Sequence, residues 1–122
     1  MTRANVVDSS GWLEYLANTD RAKYFARAVE DTAKLIVPVI SIYEVFKKVL
    51  RERGEEQALQ TASVMMTGKV IDIDASLALE AAHHKMPLAD SIMYAVANRY
   101  HAVLWTQDEH FGDLLNVRYF PK

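Results

Sequence analysis

Apolar positions along the chain follow two spacings, and the switches between them mark out strands and helices. Residues 4–7, Ala4-Asn5-Val6-Val7, form a short β run. Helical spacing follows over 10–17 and 22–33. Residues 35–39 are rich in β-branched side chains and read as a buried strand. In 41–53, Ile42, Val45, Phe46 and Val49 make an apolar stripe, and Gly54 ends that helix. A further helix is expected over 55–66 and a strand over 69–73. Asp74 is placed to cap a helix over 75–84, which Pro87 breaks. Residues 89–100 put Ala89, Ile92, Met93, Val96, Ala97 and Tyr100 on one face. The chain then reads as a strand over 102–105, a short helix, and an edge strand over 117–120 stopped by Pro121. Strands alternating with helices predict an α/β fold with a mainly parallel sheet covered on both faces.

Composition narrows the picture. A chain of 122 residues, 51% apolar and 25% charged, is expected to be a single globular domain spanning 1–122. No linker, repeat or low-complexity stretch divides it. No apolar run approaches the ~20 residues of a membrane span, and Met1-Thr2-Arg3-Ala4-Asn5 is too short and polar for a signal peptide. Zero cysteines exclude disulfides and thiolate metal ligands, which fits a cytoplasmic protein. A net charge of −2 gives no global basic footprint for nucleic acid. Acids committed to a metal site would count in that sum without being free negative charge.

Four acids carry the candidate chemistry: Asp8, Glu44, Asp90 and Asp108. Asp8 closes the first β run and Asp108 follows the strand at 102–105, while Glu44 and Asp90 open helical patterns. Strand ends and helix starts of a parallel sheet meet at one rim, where ligands bind. Each acid also has a plain structural reading. Asp8 could cap the first helix, although Ser9 and Ser10 could do so in its place. Ser41-Ile42-Tyr43-Glu44 matches a capping box, in which Glu44 bonds back to the helix start. Asp90 could be a first-turn acid favoured by the helix dipole, and Asp108 an ordinary turn residue. Carboxylates gathered on one rim repel one another, and Mg²⁺ or Mn²⁺ with hard oxygen ligands is the usual remedy. Such ions activate water and steady the leaving oxygen in phosphodiester hydrolysis.

Competing constellations are missing. Adjacent His83 and His84 point about 100° apart on a helix and do not share an ion. His101 reads as a surface or C-capping group. Zincin, P-loop and dinucleotide motifs are absent from the sequence. Lys47, Lys48 and Arg51 lie three, four and seven positions after Glu44. They form either a solvated face with a Glu44–Lys48 pair or a basic wall that holds a nucleic-acid backbone.

With these residues in view, the chain resembles PIN-domain proteins, and within that family the VapC toxins of bacterial and archaeal toxin–antitoxin pairs. Val7-Asp8-Ser9-Ser10 followed by Trp12-Leu13-Glu14-Tyr15-Leu16 resembles the family's opening. The second motif is matched by Val37-Pro38-Val39-Ile40-Ser41-Ile42-Tyr43-Glu44-Val45, and the third by Pro87-Leu88-Ala89-Asp90-Ser91-Ile92-Met93-Tyr94-Ala95. Leu104-Trp105-Thr106-Gln107-Asp108-Glu109-His110-Phe111 resembles the fourth. The resemblance implies a three-layer α/β/α fold and a Mg²⁺- or Mn²⁺-dependent endoribonuclease that hydrolyses RNA with a metal-activated water. Asp8, Glu44, Asp90 and Asp108 would form its catalytic and metal-binding set, supported by Ser9 or Ser10 and by Thr106. It also implies a homodimer and a cognate VapB-like antitoxin that blocks the site. Many relatives carry a further acid where this chain has His110. Imidazole is a poorer Mg²⁺ ligand than carboxylate. A second ion would then depend on Asp113, on the substrate phosphate, or be absent.

Two other classes of function compete. A phosphatase or DNA nuclease would use the same acids, but a haloacid-dehalogenase-like phosphatase carries D-x-D at the first strand end, where this chain has Ser10. A receiver-like signalling domain would carry an acid pair after the first strand and a lysine after the last main strand, and neither is evident. A non-catalytic PIN-like RNA-binding module would usually have lost one of the four acids, and none is missing.

Overall fold

The computed structural model describes residues 3–122. Strand β1 (Asn5–Val7) leads into α1 (Ser9–Leu16) and α2 (Ala22–Glu30). Then come β2 (Leu35–Pro38), α3 (Val39–Arg53), α4 (Glu55–Met65), β3 (Lys69–Ile71), α5 (Ala75–Ala82) and α6 (Leu88–Arg99). Strand β4 (Val103–Thr106), a 3-10 turn (Glu109–Phe111) and β5 (Val117–Tyr119) complete the order. The five strands lie in the order β3-β2-β1-β4-β5, and every neighbouring pair is parallel.

An all-parallel sheet must bury both faces, and the strand sequences provide for this by alternation. Val6, Ile36 and Leu104 point to one side and pack with Leu77 and Ala81 of α5 and Ile92 and Val96 of α6. Val7, Leu35, Val37 and Trp105 point to the other and pack with Trp12, Phe25, Ala28, Val45 and Met65 from α1–α4. Trp12 and Phe25 are fully buried, and the Phe25 side chain contributes about 1.5–3 kcal/mol by the usual transfer scale. The result is the three-layer α/β/α architecture. No helix among the described residues is long and apolar enough to cross a membrane.

Strand order runs outward from β1 through β2 to β3, then resumes at β4 on the other side of β1. This reversal leaves a crevice beyond the C-terminal ends of β1 and β4, the usual ligand position in open α/β sheets. Close approach of α1 to β1 shapes it. At Gly11 a Cβ would fall 2.7 Å from the Phe25 ring and 2.9 Å from Val7, so this position in α1 has no room for a side chain.

Several boundaries differ from those expected. The helix at 22–33 stops at Glu30, because Asp31 (φ −87°, ψ 70°) leaves helical geometry. Helix α3 begins at Val39, two residues early, directly from an extended Pro38. Despite the β-branched Val39 and Ile40, no loop separates β2 from α3.

Candidate functional site

Asp8, Glu44, Asp90 and Asp108 line one open cleft of about 310 Å³, with Ser9, Ser10, Leu13, Lys48 and Met93 completing its wall. The four acids arrive from four elements. Asp8 is the residue after β1, Glu44 lies in α3, Asp90 in the first turn of α6, and Asp108 just beyond β4.

Asp8 is both helix cap and cleft residue. Its Oδ1 accepts from the Gly11 amide (2.8 Å) and the Ser10 hydroxyl (3.0 Å). Its Oδ2 accepts from the Thr106 hydroxyl. The Asp8 amide in turn donates to the Trp105 carbonyl (3.1 Å), tying the end of β1 to β4. Asp8 is 3% exposed, and burial pushes its pKa up to about 6 despite the bonds from Thr106, Gly11 and Ser10; Asp108 adds to the rise. The expectation that a serine would free Asp8 from capping is corrected: Asp8 makes the cap bond itself.

The capping box at Ser41–Glu44 does not form. Because α3 starts at Val39, Ser41 already lies inside the helix, and its buried hydroxyl has no hydrogen-bond partner among the described residues. Glu44 instead accepts from Ser9 Oγ at 2.6 Å, across 35 residues of sequence. The Glu44–Lys48 pair is corrected too, since Lys48 reaches Glu52 (3.6 Å). Of the three candidate basic residues only Lys48 borders the acidic cleft. Lys47 bonds the Tyr43 hydroxyl (3.3 Å) beside an apolar groove on α3, and Arg51 approaches Glu52 (3.8 Å).

Asp90 and Asp108 meet at His110. The ring Nδ1 lies 3.0 Å from Asp90 Oδ2 and 3.2 Å from Asp108 Oδ1. The His110 amide donates to Asp108 Oδ1 (2.9 Å), so Asp108 caps the 3-10 turn that carries the imidazole. Burial raises the Asp90 pKa; His110 opposes this, while Asp108 and Glu44 add to it. The hydrogen bond to Asp90 and the charge of Asp108 raise the His110 pKa. One donor atom each from Asp90, Asp108 and His110 lie within 4.8 Å of one another, a grouping able to hold a metal ion. Asp113 is exposed and does not line the cleft.

Imidazole is the poorer Mg²⁺ ligand, yet the position of His110 two residues after Asp108 carries it into the site. Nothing in the spacing of the chain singles out Gln107. It is 5% exposed, donates to Glu14 Oε2 (2.9 Å) and accepts from Arg21 Nε. Arg21 also donates to the Phe120 carbonyl (2.7 Å). This network ties the segment before Asp108 to the α1 side of the molecule. Only its place between Thr106 and Asp108 marked Gln107 in the sequence.

The donor set fits a divalent ion. Ser10, Gly11 and Thr106 occupy part of Asp8's accepting capacity, while Glu44 and Asp90 each keep one oxygen that takes no hydrogen bond among the described residues. Carboxylates whose pKa is raised partly by one another favour a cation between them.

Among solved structures, a toxin–antitoxin complex from Klebsiella pneumoniae superposes with a TM-score of 0.81 at 17% identity, covering 98% of this chain and 100% of that one. VapC20 of Mycobacterium tuberculosis, a Sarcin-Ricin loop cleaving toxin, gives 0.75 at 18% identity, covering 94% and 99%. DNA-bound VapBC from Salmonella typhimurium gives 0.73 at 14% identity, covering 98% of each chain. No curated protein matches by sequence. The PIN domain family model matches residues 6–114, a span that takes in all four acids of the cleft, and the chain belongs to the PIN-domain family.

Proposed function

We propose that the chain is a Mg²⁺- or Mn²⁺-dependent endoribonuclease, the toxin of a toxin–antitoxin pair. The observation that carries this reading is the convergence of Asp8, Glu44, Asp90 and Asp108 on one cleft at the switch point of a parallel sheet. The likeness of the whole chain to VapC and toxin–antitoxin structures supports it.

In this reading Asp8, Asp90 and Asp108 hold the ion and Glu44 completes the set. When bound, the ion lowers the pKa of water and offsets charge on the scissile phosphate. The chain's own residues set the geometry. Thr106, Ser10 and the Gly11 amide fix the Asp8 carboxylate, and Ser9 orients Glu44. Lys48, on the cleft wall, is placed to meet a backbone phosphate, with Lys47 and Arg51 on the same helix as further RNA contacts. A cytoplasmic homodimer with a VapB-like antitoxin blocking the cleft completes the proposal.

The test is cleavage of RNA by the purified chain, with sequencing of the ends. Cleavage should stop in EDTA, return with Mg²⁺ or Mn²⁺, and leave 5′-phosphate and 3′-hydroxyl ends. EDTA-resistant cleavage, or 2′,3′-cyclic phosphate ends, would overturn it.

A further inference from the structure

We propose that His110 is itself a ligand to the divalent ion and biases this site toward Mn²⁺ over Mg²⁺. The inference rests on the metal-dependent reading above and goes beyond it by assigning a nitrogen ligand. Neighbouring ligands of an octahedral ion at ~2.1 Å lie about 3 Å apart. Nδ1 of His110 hydrogen-bonds Asp90 Oδ2 at 3.0 Å and lies 3.2 Å from Asp108 Oδ1, so an ion that replaces the Nδ1 proton would meet these atoms at the spacing of adjacent corners. The ring is held there by more than these two contacts. Asp108 caps the turn through the His110 amide, and Phe111, the next residue, is fully buried against Tyr94 of α6. The backbone under the imidazole is therefore fixed by the core. The ring remains about half exposed, so an ion can reach it from solvent.

The donor type then decides selectivity. Mg²⁺ strongly prefers oxygen and gains little from imidazole, whereas transition-metal ions accept nitrogen readily. A site of two carboxylates and an imidazole is better matched to Mn²⁺ than a purely carboxylate one.

The experiment is Mn²⁺ and Mg²⁺ titration of the full chain, wild type, His110→Asp and His110→Ala, at pH 8. Pulsed electron paramagnetic resonance of the Mn²⁺-loaded protein is recorded in parallel. Wild type should show nitrogen-14 coupling from a directly bound imidazole, and both variants should lose it. The Mn²⁺/Mg²⁺ affinity ratio should fall about tenfold or more in His110→Asp. Mn²⁺ bound by wild type without nitrogen coupling, and a ratio unchanged in His110→Asp, overturns the role of His110 and leaves the nuclease reading standing. No Mn²⁺ binding by any of the three proteins overturns both.

Discussion

Two aspartates in this molecule follow strands and cap the next α-helix: Asp8 between β1 and α1, and Asp74 between β3 and α5. Both have extended backbone, and both accept from the amide three residues on at 2.8 Å, Gly11 for one and Leu77 for the other. Their surroundings are opposite. Asp74 follows the edge strand, is 63% exposed, and has Arg99 at 3.6 Å. The Leu77 amide, then Arg99, hold its pKa below the ordinary value. Asp8 follows the central strand, and its burial pushes its pKa up to about 6, with a smaller push from Asp108. The same local motif is thus a satisfied cap at the sheet's edge and an electrostatically unfavourable group at its switch point. Capping explains Asp74 fully. It does not explain why a carboxylate should be kept at Asp8.

The largest expected effect tests that asymmetry in function. Asp8→Asn keeps the shape and most of the hydrogen bonds but removes the charge. RNA cleavage should fall on the order of 10²-fold or more, the worth of a few kcal/mol of lost metal and transition-state stabilisation. Asp74→Asn should cleave at the wild-type rate. Equal losses in the two variants, at equal folded fraction, would mean that Asp8 is only another cap.

Stability in EDTA should separate the two residues next, and in opposite senses. A carboxyl whose pKa is raised on folding contributes stability below its unfolded value, and that contribution is lost as pH rises through the folded one. For Asp8 the window runs from 3.8 to about 6, equivalent to ~3 kcal/mol. Asp90 acts in the same direction, and the raised pKa of His110 extends the loss to higher pH. Asp8→Asn should therefore melt higher than wild type at pH 8, with the gap closing toward pH 4. Saturating Mn²⁺ should narrow the gap at pH 8, because the ion stabilises the wild-type carboxylate cluster. A variant that melts well below wild type at pH 8 in EDTA would show that the cap outweighs the buried charge.

How far the sequence revealed this contrast depends on which interactions were local. Strand and helix identities follow from spacing that each segment carries within itself, and Asp74 was legible as a cap for the same reason. The capping-box pattern sets the expected start of the third helix at Ser41, whereas α3 begins at Val39, directly from the extended Pro38. That shift dissolved the capping box and turned Glu44 toward Ser9. The contacts that build the cleft, Ser9 to Glu44, Thr106 to Asp8 and His110 to Asp90, span 35, 98 and 20 residues. No spacing rule reaches across such distances. The four acids could be grouped only through the topology of parallel sheets and the resemblance to PIN domains.

The smallest expected effect belongs to Asp74, and it sharpens the comparison from the other side. Asp74→Ala removes the bond to the Leu77 amide and the partner of Arg99, which keeps Ser76 and Glu80 at 3.1 Å. Those remaining contacts limit the damage to the cap itself, so the melting temperature at pH 7 should fall by roughly 2–8 °C, the usual scale for an N-cap. The sign with pH is the reverse of that for Asp8. A carboxylate with a lowered folded pKa contributes stability above its unfolded value of 3.8, and that contribution is lost as pH falls through the lower folded one. The difference between wild type and Asp74→Ala should therefore be widest near neutral pH and shrink on acidification toward pH 2–3. Mn²⁺ should leave it unchanged, since Asp74 is not among the residues lining the cleft. Thermal melts at pH 3 and pH 7, with and without Mn²⁺, check all three points. A difference that depends on Mn²⁺ would join the edge of the sheet to the cleft energetically and break the separation between the two aspartates.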